Sequence, residues 1–342
     1  MKARSSLLGP LVALLLALAL ADGCSHRRVI RLTGSTMGTT YHIQVLADAY
    51  YRPEKLQERI AWRLEQINRS MSTYRTDSEI SRFNALATCS QTLKISEDFW
   101  KVLETARTVY TLTRGAWDGT VYPLIKLWGF GGSQPPSRVP SDRQIAAVLP
   151  RVGFDHIRML TGRRLQKNDS QVRLDLGSIA KGYGVDRIAA LIRAEGFSNF
   201  LVEIGGEVVA SGRRGDGKPW QVGVSHPEAG DAGVYGVLAL TDRALATSGD
   251  YRSFFEIGGR RYSHVIDPHT GYPVNNHVVS VSVMAPTCTL ADGLATGIMV
   301  MGPQAGLDMV NGLDNVECLI VIRKPDGRLA DFTSKGFKQF LN

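Results

Sequence analysis

The chain has only four cysteines and no Cys-x-x-Cys pair. Cys24 adjoins the N-terminal apolar run. The remaining three, Cys89, Cys288 and Cys318, are an odd set without paired spacing, which argues against both a disulfide framework and a zinc site. They read as small core residues, with one bridge plus a free thiol as the alternative. No His-Glu-x-x-His helix and no nucleophile-elbow motif is present, so zinc-peptidase and α/β-hydrolase chemistry has no foothold. A P-loop is missing, because no Gly-Lys-Ser/Thr follows a glycine at the required spacing, and Gly182-Tyr183-Gly184 lacks the third glycine of a dinucleotide fingerprint. Internal repeats are absent, as are long linkers, basic runs and aromatic ladders among the lysines and arginines. Nucleic acid is therefore not an expected partner, despite a formal charge of +8.

What is present is the composition of a protein that buries a core: 44% hydrophobic and 21% charged over 342 residues, with 14 prolines and 35 glycines scattered throughout. One large domain or two interleaved lobes, over residues 24–342, fits that distribution. The first 23 residues differ. Lys2 and Arg4 precede an apolar run from Leu7 to Ala21, a charged start and short hydrophobic stretch that describe an export signal better than a spanning helix. Ala21-Asp22-Gly23-Cys24 resembles a bacterial lipobox, although Ala21 stands where such motifs prefer leucine and Asp22 is an unusual neighbour. The expectation is a lipoprotein acylated at Cys24, anchored to a membrane and facing the periplasm; simple secretion or an uncleaved anchor are the alternatives. Loss of Lys2, Arg4 and Asp22 lowers the formal charge only from +8 to +7. Such a charge suits a phosphate-rich ligand and an anionic lipid surface.

Along the body, Val29–Leu32 and Tyr41–Leu46 read as strands. Leu56, Ile60, Leu64, Ile67 and Met71 form one apolar helical stripe. Ser72 to Glu79 reads as a polar loop in which Tyr74 is free to stack on a planar ligand. A second helix starts at Ser96 and ends near Gly115, followed by a loop with Trp117 and Trp128 that is either a lid over a core or the wall of a pocket. Asp155–Leu160 and Gln171–Leu174 are predicted to pair as a hairpin. A run of strands from Phe200 to Met284 follows, with turns at Gly258-Gly259 and at Asp267 to Gly271. Helices over Thr289–Met301 and Pro303–Leu313 and a strand at Glu317–Ile322 close the body. Runs of strands separated by helix pairs predict an α+β fold with mostly antiparallel or mixed sheets and flanking helices.

The stretch Arg173-Leu-Asp175-Leu-Gly177-Ser178-Ile-Ala-Lys181-Gly182-Tyr-Gly184-Val-Asp186 runs from strand character through a small-residue turn into a helix. Such a helix start favours an anion, and Lys181 would add a mobile charge above it; a plain strand-turn-helix with a solvated lysine is the alternative. Asp292 and Thr296 are four apart, hence on one face of the late helix, and supply hard oxygens suited to Mg²⁺. Thr296 could instead bond the carbonyl four residues back. Asp292 is harder to dismiss, since its apolar neighbours describe a buried helix in which an unpaired carboxylate is costly. His264, near a strand end, is either a satisfied structural residue or a general base.

The long stretch resembles the Asp-x-Gly-x-x-Ala-Lys-Gly-x-x-x-Asp signature of the ApbE family, flavin transferases that move FMN from FAD onto a threonine of a partner protein. Similar segments occur in family order: Ser35-Thr-Met37-Gly-Thr39, Met71-Ser-Thr-Tyr74, Ala116-Trp117-Asp118-Gly-Thr120, Glu203-Ile-Gly205-Gly206, His264-Val-Ile266-Asp267-Pro and Ala291-Asp292-Gly-Leu-Ala-Thr296. The resemblance implies a two-lobed fold with the site between the lobes. It also implies FAD contacts at Met37, Tyr74, Ala116, Trp117, Asp118, Asp175, Lys181 and Ile266, and Mg²⁺ on Asp292, Thr296 and an oxygen of Ser178. Many relatives carry an acid where Thr289 stands, so a fourth protein ligand is open. His264 is then the base for an acceptor threonine. Two rivals remain: an FAD pyrophosphatase releasing FMN and AMP, and a non-catalytic FAD-binding lipoprotein.

Overall fold

The computed structural model describes residues 27–130, 138–227, 233–250 and 254–341. The export segment and Cys24 lie outside them. The first hairpin sets the pattern. β1 (Arg27–Thr36) and β2 (Thr39–Asp48) pair through a two-residue turn in which Met37 and Gly38 both take positive φ, 50° and 72°. Ile30 and Leu32 on β1, and Tyr41, Ile43, Val45 and Ala47 on β2, are buried at every second position. α1 (Glu54–Met71) buries the predicted stripe of Leu56, Ile60, Leu64, Ile67 and Met71. Ser78 and Ser96 then accept backbone N–H bonds to start α2 (Glu79–Asn84) and, beyond β3 (Leu93–Lys94), α3 (Glu97–Leu112). The loop after α3 carries α4 (Tyr122–Leu127), and α5 (Asp142–Val148) opens on a capping box of Ser141 and Gln144.

β4 (Ile157–Leu160) and β5 (Arg164–Lys167) precede α6 (Ala180–Ala194). Seven strands follow: β6 (Phe200–Ile204), β7 (Glu207–Ser211), β8 (Trp220–Ser225), β9 (Val234–Leu240), β10 (Arg243–Gly249), β11 (Phe254–Ile257) and β12 (Arg260–Ser263). After β13 (Val278–Ala285) come α7 (Cys288–Met301), α8 (Pro303–Val310), β14 (Glu317–Arg323) and β15 (Leu329–Thr333). The main sheet has eight strands in the order β1-β2-β6-β7-β10-β13-β14-β15, and each neighbouring pair is antiparallel. This is the predicted α+β class.

Both faces of the sheet centre are covered. α7 lies against β10 and β13 and against α6. On the other face Trp220, Val224, Leu238 and Leu240 of the β8–β9 ribbon cluster with Leu245, Val279, Met284, Leu319 and Val321. β13 is consequently buried along its whole length, which is why its sequence is nearly continuous in valine and small residues.

Two expectations are corrected, and a third, left open between two readings, is resolved. β4 pairs with β5, not with Gln171–Leu174. Inward on β5, Lys167 is fully buried, with its ammonium donating to the carbonyls of Asn84 (3.2 Å) and Val172 (3.3 Å). The segment before α6 instead bonds to the Asn84 amide, which both accepts from Leu174 N (2.7 Å) and donates to Leu174 O (2.8 Å). Second, Cys89 is exposed; Cys288 and Cys318 are buried, and all three are free thiols. Third, the tryptophan loop has two fates: Trp128 is core, its indole N–H donating to Gly271 O (2.8 Å), and Trp117 backs a cavity.

Burial, with Arg173 adding repulsion, pulls the Lys167 ammonium down from its ordinary value of 10.5 to about 8. Between those values the unfolded chain binds a proton that the folded chain has lost, so Lys167 adds stability as pH rises through that window. Lys167→Met should therefore gain most on wild type below pH 8 and lose that advantage by pH 10.5. Thermal melts of both proteins across that range test it; a melting difference independent of pH would contradict it.

Candidate functional site

α6 and α7 approach so closely that the site begins with a missing side chain. A Cβ on Gly182 would stand 2.3 Å from the Cys288 carbonyl oxygen and 2.9 Å from Asp292 Cβ. Without one, the Gly182 N–H donates to Asp292 Oδ2 at 2.9 Å. The anion at this helix start is thus the protein's own carboxylate, where a free phosphate was expected. The last residue of the signature serves the same contact: Asp186 accepts from the backbone N–H groups of Cys288 and Thr289, both at 2.8 Å, and so caps α7. The Thr289 hydroxyl also donates to Asp186, and Thr289 does not line the cavity that holds Asp292.

Asp292 and Thr296, one turn apart on α7, face a cavity of about 410 Å³. The start of α6 adds Ser178 and Lys181, the β6–β7 turn adds Gly205 and Glu207, and the end of β10 adds Thr247, Ser248 and Gly249. Ala116, Trp117 and Asp118, with Val121 and Ile125, line it too, as do His264, Val265, Ile266 and Pro268 after β12. A second cavity of about 580 Å³, lined by Met37, Met71, Tyr74 and Arg75 among others, shares Asp175, Gly177 and Lys181 with the first. Every residue the sequence singled out for FAD, the metal or catalysis therefore lies in one of two adjoining cavities. Tyr74 is 94% exposed, as a stacking ring requires. Trp117 is 1% exposed and offers no open face. Its indole N–H donates to Ser178 Oγ (2.9 Å), and its ring packs near Phe154.

The carboxylates divide by environment. Asp118 is fully engaged: Oδ1 accepts from Thr120 N (2.7 Å) and Thr120 Oγ1 (2.6 Å), and Oδ2 from Phe154 N (2.9 Å). It braces the loop that presents Ala116 and Trp117. Asp175 accepts from Gly177 N (2.8 Å) at the junction of the cavities; burial raises its pKa against that bond. Asp292 is 2% exposed and burial pushes its pKa up, opposed by Lys181 and the Gly182 N–H.

Lys181 is the clearest departure from expectation. Its ammonium is no free charge above the helix start: it lies 2.7 Å from Glu207 Oε1 and 3.8 Å from Asp292 Oδ1. Burial alone would lower its pKa, but Asp292 and Glu207 hold it well above the usual value. Glu207, 3% exposed, is raised by burial and by the Asp292 charge, against the pull of Lys181. It was missed because it opens an apolar strand, Glu-Val-Val-Ala, one residue past the quoted Glu203-to-Gly206 segment. An acid at the head of a buried strand was the available signal. Ser248 was also missed; its hydroxyl pairs with Thr296 Oγ1 at 3.0 Å.

Among the described residues no group of three or more His, Cys, Asp or Glu side chains could hold a metal. Among the side chains lining the cavity, Asp292, Thr296 and Ser178 offer hard oxygens, and the Ser178 hydroxyl keeps acceptor capacity beside the Trp117 bond. That set fits a hard cation that draws much of its shell from water and phosphate oxygens.

Residues 37–320 match the sequence profile of the ApbE family. The chain belongs to the ApbE family. It is 41% identical over 339 residues to a Haemophilus influenzae protein named FAD:protein FMN transferase, covering 97% of each chain. A Vibrio cholerae protein of the same name is 42% identical over 333 residues, with 97% and 98% covered. The fold superposes on the flavin transferase ApbE from Vibrio cholerae with a TM-score of 0.83 at 40% identity, over 92% of this chain and 100% of that one. The apo form of Pseudomonas stutzeri flavinyl transferase ApbE gives 0.83 at 35%, over 92% and 97%. The order of ApbE segments read from the sequence is thus carried by an ApbE fold.

Proposed function

We propose that this chain transfers FMN from FAD to a threonine hydroxyl of an acceptor flavoprotein outside the cytoplasm and releases AMP, with Mg²⁺ as the metal. The observation that carries the reading is the gathering of Asp292 Oδ1, the Thr296 and Ser178 hydroxyls and His264 in one cavity, adjoining a second that holds Met37 and Tyr74. The names of the similar proteins support it.

Asp292, Thr296 and Ser178 would hold the cation. Bound there, it neutralises charge on the pyrophosphate oxygens, which phosphoryl transfer chiefly requires. Tyr74, exposed at the rim of the larger cavity, stacks on a planar ring of FAD, and Met37 packs beside it. Ala116 to Asp118 and Ile266 close the smaller cavity around the reacting end, and Asp175 sits where the two cavities join. His264 accepts the proton of the acceptor threonine. The threonine oxygen forms a bond to the riboflavin-side phosphorus, the bridging P–O bond breaks, and AMP leaves as the phosphate monoester.

FMN incorporation into a threonine-bearing acceptor, measured with AMP release at several Mg²⁺ concentrations, tests the reading. Asp292→Ala should abolish transfer yet spare most FAD affinity, because the flavin and adenine keep their contacts. His264→Ala should slow it by roughly 10²–10⁴-fold, with the loss shrinking as pH rises. Rapid AMP release without acceptor would replace the transferase with a pyrophosphatase. Wild-type transfer by Asp292→Ala would overturn the metal assignment.

For location, we propose acylation at Cys24 and anchoring to a membrane that faces the periplasm. Cys24→Ala should leave the protein unprocessed or released into the soluble fraction, since the acyl chains would supply the membrane affinity. Normal cleavage with unchanged membrane fractionation would contradict it.

A further inference from the structure

We infer that Glu207 is a positioning residue for the cation site: it draws the Lys181 ammonium to itself and so keeps Asp292 Oδ1 open to a divalent cation. The inference rests on the metal reading proposed above.

Three charged groups share this buried corner, two carboxylates and one ammonium. Nothing in their formal charges says which carboxylate Lys181 should neutralise. The geometry does, with contact at 2.7 Å to Glu207 Oε1 and a gap of 3.8 Å to Asp292 Oδ1. Both anions are anchored by backbone, so the lysine is the adjustable member. Glu207 pairs with Ile204 across the β6–β7 hairpin, whose turn residues Gly205 and Gly206 take φ of 62° and 104°, and Glu203 Oε1 accepts the Gly206 N–H at 2.6 Å. The Lys181 stem passes over that turn, so close that a Cβ on Gly205 would stand 3.4 Å from Lys181 Cδ. Asp292 is fixed from the other side, its Oδ2 held by the Gly182 N–H. Oδ1 is therefore the oxygen for which Lys181 and a cation compete.

Glu207 carries a second mark of this role. Its Oε2 is buried and has no hydrogen-bond partner, in a residue that lines the same cavity as Asp292. A buried carboxylate with one oxygen unpartnered is unfavourable unless a cation compensates it. Lys181 is that cation, so the lysine is held at Glu207 by an interaction that both groups need. Removing the Glu207 charge would leave Asp292 as the ammonium's nearest anion, and closure of the 3.8 Å gap would occupy the oxygen that the divalent cation uses.

A double-mutant cycle on Mg²⁺ binding to the FAD-free protein, read by titration calorimetry, separates this from a general field effect. Wild type, Glu207→Gln, Lys181→Met and the double variant are compared, with a cooperative melt required of each. Glu207→Gln should weaken Mg²⁺ binding by about tenfold or more when Lys181 is present and by less than about threefold when Lys181 is methionine. In turnover, Glu207→Gln should raise the Mg²⁺ concentration needed for half-maximal rate, while saturating Mg²⁺ restores most of kcat. This turnover test also serves if the double variant does not melt cooperatively. An equal loss of affinity in both lysine backgrounds, or a kcat that stays low at saturating Mg²⁺, overturns the inference. If wild type itself binds no Mg²⁺, the metal reading fails first and this inference with it.

Discussion

The site depends on one close contact, that of the α6 backbone with the Asp292 side chain. Because Gly182 has no Cβ, the first turn of α6 lies against the first turns of α7, and its N–H group reaches the carboxylate directly. A helix N-terminus favours negative charge, and here it orders one oxygen of Asp292 while leaving the other toward the cavity. Asp186, one turn further along α6, caps α7 in return. The two helices thus orient each other, and the signature stretch acts as a helix-packing device.

The sheet serves this pair of helices. Strands β10 and β13 form the surface on which α7 rests, and the β8–β9 ribbon seals the opposite face. Such two-sided coverage keeps the platform rigid and dry. The loops that complete the cavity are tied down individually: Asp118 bonds Thr120 and Phe154, Trp128 bonds Gly271, and the His269 ring bonds Arg114 O at 3.0 Å. These ties bring segments more than 140 residues apart, around Ala116 and around His264, to one cavity.

Local chemistry made much of this legible in advance. Asp292 and Thr296 announced themselves by four-residue spacing on an apolar helix, and the capping Ser96 marked the start of α3, whereas Ser78 and the short α2 were hidden in what read as a polar loop. What escaped were features set by partners far along the chain. Lys181 could not reveal that Glu207, on a strand across the cavity, takes its ammonium. Lys167 disguised β5, since a lysine in a core is possible only because two backbone carbonyls happen to meet it. Trp117 and Trp128 read alike, and only their different partners, Ser178 and Gly271, separate a cavity wall from a core residue.

The central claim is that Asp292 holds a divalent cation against the pyrophosphate of FAD. Phosphorus NMR of FAD bound to the protein, with Mn²⁺ in place of Mg²⁺, tests it most directly, because the paramagnetic ion broadens the resonance of any phosphorus it touches. The account predicts strong broadening of both pyrophosphate signals in the wild type and its loss in Asp292→Asn with FAD still bound. Equal broadening in the two proteins would contradict it.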